Sequence, residues 1–84
     1  MLQRIREHIR VAVIHGPGNR LRPVWFDWKQ HKHEIREITY HWQHSAGKEL
    51  LLHYSVSDGR ALYELVYNTT QLVWMLESID PDKV

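Results

Sequence analysis

The 84-residue sequence predicts an all-β domain, an antiparallel meander of five or six strands rolled into a small, open, SH3-like barrel. Three observations lead there. Apolar residues recur with period two through residues 49–67. An Asp-Gly pair interrupts that stretch midway, and such a pair is a strong hairpin signal. The flanking segments are short β-branched and aromatic runs joined by tight polar connections.

The stretch Glu49–Tyr67 organises the rest. A type I′ turn at Asp58-Gly59 places Ser57 opposite Arg60, and the pairs Val56/Ala61, Tyr54/Tyr63, Leu52/Leu65 and Leu50/Tyr67 follow on one uncharged side. The other side carries Ser55/Leu62, His53/Glu64 and Leu51/Val66. Slipping this pairing by one residue would mix the two sides, so the face that is buried is well specified.

Taken in order, Ile9–Ile14 is β-branched and reads as a strand, with Arg4, Arg6, His8 and Arg10 along its opposite side. Leu2, Ile5 and Ile9 also fit a helical stripe, so a short N-terminal helical turn is compatible with the pattern. His15–Pro23 holds two Gly and two Pro and reads as a loop. Val24–Trp28 is a strand whose sides are Val24, Phe26, Trp28 and Trp25, Asp27. Lys29-Gln30 turns it back. In His31–Trp42 the apolar phase changes from odd (His33, Ile35) to even (Ile38, Tyr40, Trp42), which calls for a β-bulge near Arg36-Glu37. Trp28, Trp42 and Trp74 are assigned to the core. After the central hairpin, Asn68–Gln71 leads into Leu72–Ile79, pairing Leu72 with Tyr67, Trp74 with Leu65 and Leu76 with Tyr63. Asp80-Pro81 ends the strand. Residues 1–84 are thus expected to form one small β domain with its core between residues 5 and 80.

Composition bounds the function. Without cysteine there are no disulfides, thiolate metal sites or Cys nucleophiles. The N-terminal residues are too charged for a secretory segment, and no stretch approaches the roughly 20 apolar residues of a membrane helix. The expectation is a soluble, cytoplasmic protein that does not contact a membrane. Net charge is +1, but residues 1–42 hold eight Lys/Arg against four Asp/Glu while residues 43–84 hold three against six. A basic half of this kind points toward a polyanion.

Arg22-Pro-Val-Trp-Phe-Asp-Trp28, Ile35, Ile38, Trp42, Tyr54-Ser-Val, Asp58-Gly, Tyr63-Glu-Leu-Val-Tyr67 and Trp74-Met-Leu-Glu-Ser-Ile-Asp80 together resemble a family of small Trp-rich bacterial β domains. Relatives in that family follow Y-family (translesion) DNA polymerase-like proteins as a C-terminal module. The likeness covers residues 22–80 and implies a β domain working in a DNA context. It supplies no catalytic residues. The family pattern tends to have Gly in the turn after Trp28, where this chain has Gln30.

Candidate chemistry is sparse. Seven histidines invite a metal reading, with His31, His33 and His41 the candidates, but no carboxylate stands at a recognised ligand spacing and the expectation is no metal and no cofactor. His53 and Glu64 are half of an acid–base pair, read more simply as a cross-strand ion pair. Trp25, outward on its strand, lies near Arg20, Arg22, Lys29 and Lys32 in sequence, and aromatic rings interleaved with cations suit single-stranded nucleic acid. The row Arg4, Arg6, His8, Arg10 reads as protection of an exposed edge strand. The sequence therefore points to a non-enzymatic binding module, for single-stranded nucleic acid ahead of another protein. The alternative is a docking or homodimer face built on Leu51, Leu62 and Val66.

Overall fold

The computed structural model describes residues 1–18 and 20–83. It is all-β, with no helix among the described residues and hence none long and apolar enough to cross a membrane. Seven strands, not five or six, form one antiparallel sheet: β1 (Gln3–Gly16), β2 (Arg20–Trp28), β3 (His31–Glu34), β4 (Glu37–Ala46), β5 (Glu49–Ser57), β6 (Leu62–Asn68) and β7 (Val73–Asp80). Their order is β3-β2-β1-β7-β6-β5-β4. The sheet curls but does not close. Its two edge strands, β3 and β4, are consecutive in the chain and joined by Ile35-Arg36. The Ile35 amide donates to the Val24 carbonyl (3.0 Å) and the Arg36 amide to the Ser57 carbonyl (2.8 Å), so this crossing ties the two ends of the sheet together at one point.

β1 is the strand that both halves share. Arg10–Gly16 pairs with β2 and Gln3–Ile9 pairs with β7, with a bulge between Arg4 and Glu7 where Arg6 takes φ 56°. The N-terminal residues are therefore strand, not helical turn, and β1 lies inside the sheet, not at its edge. Arg4 and His8 have a ladder partner on β7 only and Arg10 on β2 only. Arg4 and Arg6 reach Glu77, and Arg10 reaches Asp27.

Phe26, Val56, Leu65 and Leu76 are completely buried, and Tyr54, Ala61, Tyr63 and Trp74 complete the core. Ile9, Val11 and Val13 pack against them from β1. Burial of such large apolar side chains contributes roughly 1.5–3 kcal/mol each, the main stabilisation open to so short a chain. Leu50, expected on this face, stands at the open end of β5 and is 37% exposed.

The buried face is the one the sequence pattern selects, but both hairpins pair two residues out of the expected register. Ser57 faces Leu62, Val56 faces Tyr63 and Tyr54 faces Leu65; likewise Tyr67 faces Trp74 and Leu65 faces Leu76, until a bulge between Glu64 and Leu65 adds one more residue and puts Tyr63 opposite Ile79. The cause is side-chain capping. Asp58 Oδ1 accepts the amides of Arg60 (2.8 Å) and Ala61 (3.0 Å), and Asn68 Oδ1 accepts those of Thr70 and Gln71 (2.9 Å each). A short side chain bonding the backbone two residues ahead favours this wider loop over a type I′ turn. Only Gly59 of the Asp-Gly pair has positive φ (92°). A slip of two leaves every side chain on its original face.

A groove and a basic face at the open seam

Where β3 ends, β2 loses its neighbour, and the Arg20–Pro23 portion of β2 faces the free edge of β4 across an open groove of about 820 Å³. Leu21, Ile38, Leu52 and Tyr54 form its floor and walls, and His41 and Gln43 stand on the β4 bank. Tyr54 is pinned there. Its hydroxyl donates to the Leu21 carbonyl at 3.0 Å, and burial pushes its pKa up. The ring bridges β5 to β2 beneath the gap. His41 lies 6.3 Å from it, ring to ring, tilted by 30°.

The β2 bank carries Arg20 and Arg22. β2 has a bulge at Val24, since Ala12 faces Trp25 while the adjacent Val13 faces Pro23. Strict alternation would place Arg22 and Trp25 on opposite faces; the extra residue puts them on the same outer face. Pro23, which cannot donate to a ladder, was the visible sign of that irregularity. Trp25 is half-buried on this face, with the Arg10 guanidinium 5.6 Å and the Lys32 ammonium 5.1 Å from its ring centre. Asp27 pairs with Arg10, and Glu34 lies 3.9 Å from Lys32. Arg20 and Arg22 have no carboxylate partner among the described residues, and no Asp or Glu lines the groove. Arg20 and Arg22 thus line the groove, while Lys32 lies over Trp25 farther along the same outer face of β2. Lys29 does neither, because it sits in the β2–β3 turn with its ammonium 4.9 Å from the Trp28 ring.

The histidines are dispersed. His33 stacks on Phe26 (4.9 Å, 9° between planes), and its Nδ1 meets Asp58 Oδ2 at 3.1 Å. His31 is exposed farther along β3, and His41 is at the groove. Among the described residues no three His, Asp or Glu side chains gather as a metal site. Asp58 Oδ2 also accepts the Tyr63 hydroxyl at 2.8 Å. Burial alone would raise the Asp58 pKa, but hydrogen bonds from His33, the Arg60 amide, Tyr63 and the Ala61 amide outweigh it and hold the carboxyl at about 2. Burial, together with the carboxylate, drives the Tyr63 hydroxyl well above its ordinary range. This cluster fastens the β5–β6 loop to β3, a role the sequence pattern did not reveal.

On the other outer face, a bulge at Thr39 restores the phase that the Ile35-Arg36 break had changed. Trp42 therefore leaves the core and stacks on His53 (4.7 Å, 14°), beside Tyr40, which is 64% exposed. His53 Nδ1 meets Glu64 Oε2 at 3.2 Å, although the two sit diagonally, with Ser55 directly opposite Glu64. Leu51 and Leu62 are half-buried on this face and Val66 is buried. Comparison with protein-family models, curated proteins and solved structures gives no match.

Proposed function

We propose that this domain is a non-enzymatic binding module for single-stranded nucleic acid, which it holds along the seam between β2 and β4 and across the adjoining Trp25 face. The observation that carries the reading is the charge of the groove. Among the described residues it is lined by Arg20 and Arg22 and by no carboxylate, and Trp25 and Lys32 lie together on the outer face of β2 and β3. Cations that track a backbone, next to flat rings on which bases stack, are the means by which single strands are held without sequence preference. A duplex offers no free base faces to such a surface. A DNA context for this activity rests on the resemblance of residues 22–80 to modules that follow Y-family polymerase-like proteins.

Fluorescence anisotropy with a short labelled single-stranded oligonucleotide tests the reading. Contacts from Arg20, Arg22 and Lys32 predict a log–log salt slope of about −2, or roughly twentyfold weaker binding on going from 50 to 200 mM salt. Trp25→Ala removes a stacking contact of roughly 1–3 kcal/mol, so affinity falls about fivefold to a hundredfold. Absence of binding at low salt rules the proposal out.

A second reading is self-association or protein docking through β4. Its free edge, with Tyr40 64% exposed and Trp42 beside it, leaves both backbone groups and rings for a partner strand. A monomer in sedimentation at high concentration, unchanged by Tyr40→Lys, rules out the homodimer form.

A further inference from the structure

We infer that the groove between β2 and β4 takes one nucleotide of the bound strand out of its stack, with the base seated over Tyr54 and its phosphate held by Arg20 and Arg22; this deepens, and rests on, the reading above. The space suits it. A volume of about 820 Å³ falls in the ordinary range for small-molecule sites and exceeds what a side chain leaves when packing is merely imperfect. The floor of Leu21, Ile38, Leu52 and Tyr54 is apolar. It is also fixed, because the Tyr54 hydroxyl is spent on the Leu21 carbonyl and the ring cannot swing out to fill the gap.

The walls supply what a base edge requires. β2 beyond β3 and β4 along its outer side are strand edges without a neighbour, and their backbone groups offer donors and acceptors to the hydrogen-bonding edge of a base. His41 adds a second flat ring at the rim, and Gln43 an amide that both donates and accepts. Charge selects the class of ligand. Two guanidiniums on the β2 bank, facing no carboxylate anywhere in the lining, favour a phosphate-bearing ring over a neutral or cationic one. Because the base must be unstacked to enter, the groove discriminates against duplex.

The test titrates adenosine, guanosine, cytidine and uridine 5′-monophosphates into the isotope-labelled full chain, followed by NMR, and in parallel uses them to compete with the labelled oligonucleotide. Inorganic phosphate and uncharged nucleosides serve as controls. The expected result is movement of the Leu21, Ile38, His41, Leu52 and Tyr54 signals, competition by monophosphates at least tenfold stronger than by phosphate, and a loss of about tenfold or more in Arg20→Glu/Arg22→Glu. His41→Ala, at an exposed position that does not endanger folding, is expected to weaken monophosphate binding severalfold. If the oligonucleotide binds but the monophosphates neither move these signals nor compete, the nucleotide pocket is wrong while the strand-binding reading stands. Phosphate competing as well as the nucleotides makes the groove a plain anion site and also overturns the inference. Failure of the oligonucleotide itself removes the proposed function and, with it, this extension.

Discussion

Replacing Asp58 by Asn isolates the contribution of a buried carboxylate at nearly constant shape. The Asp58 side chain is 8% exposed and accepts from the Arg60 and Ala61 amides, the Tyr63 hydroxyl and His33 Nδ1. Its carboxyl is held at about 2 against an ordinary 3.8, a difference equivalent to about 2 kcal/mol in favour of the folded, ionised form. The group is depressed in the folded state, so its contribution is complete above the ordinary carboxylate range and disappears as pH falls through about 2. Asp58→Asn should therefore cost about 2 kcal/mol near neutral pH, lowering Tm by roughly 8–16 °C for a domain of this size. The gap between wild type and variant should close progressively as acid is added. Urea unfolding followed by tryptophan fluorescence, repeated from neutral pH down to about pH 2, measures both quantities. A gap under about 0.5 kcal/mol at neutral pH, or one that does not change with pH, would refute the reasoning.

Three further outcomes follow from backbone geometry and one side-chain bond. Gln30 (φ 65°) and Leu72 (φ 60°) are non-glycine residues in left-handed conformations, so Gln30→Gly and Leu72→Gly should each stabilise by about 1 kcal/mol in the same unfolding assay. Gly59→Ala should destabilise by about 1–3 kcal/mol, since φ is 92° there and an added Cβ meets Arg36 Cδ at 3.0 Å. Tyr54→Phe removes the donor to the Leu21 carbonyl and should cost about 1 kcal/mol, and faster amide exchange across Arg20–Leu21 would show the seam loosening.

Much of the fold was legible because period-two patterning reports the face of a residue and nothing finer. Tyr54, Val56, Tyr63, Leu65, Trp74 and Leu76 are buried as their spacing required. Register was not legible, because it was decided by Asp58 and Asn68 capping their own loops, and a slip of two leaves the pattern unchanged. Trp42 was misplaced for the opposite reason. Two irregularities, at Ile35-Arg36 and at Thr39, reverse the phase twice within a few residues, and spacing alone suggests only one. The charged row of β1 does not reveal how the strand is shared, because charges on an outward face look the same whichever strand lies beside them; pairing of Gln3–Ile9 with β7 and of Arg10–Gly16 with β2 decides it.

The candidate site was half legible. Trp25 and its neighbouring cations could be named from proximity, and the bulge at Val24, signalled by Pro23, is what brings Arg20 and Arg22 onto the same face. Lys29 was near in sequence but turns to Trp28. The groove could not be read from the chain, because it is made by the failure of two distant strands to meet. Its β4 bank, His41 and Gln43, carries no motif.

NMR mapping of a single-stranded oligonucleotide on the full chain at low salt addresses the seam most directly. The changes should concentrate at residues 20–22, Trp25, Lys32, Ile38, His41 and Gln43, and fade as salt is raised. Changes centred instead on Tyr40, Trp42 and Leu51, or insensitive to salt, would contradict it.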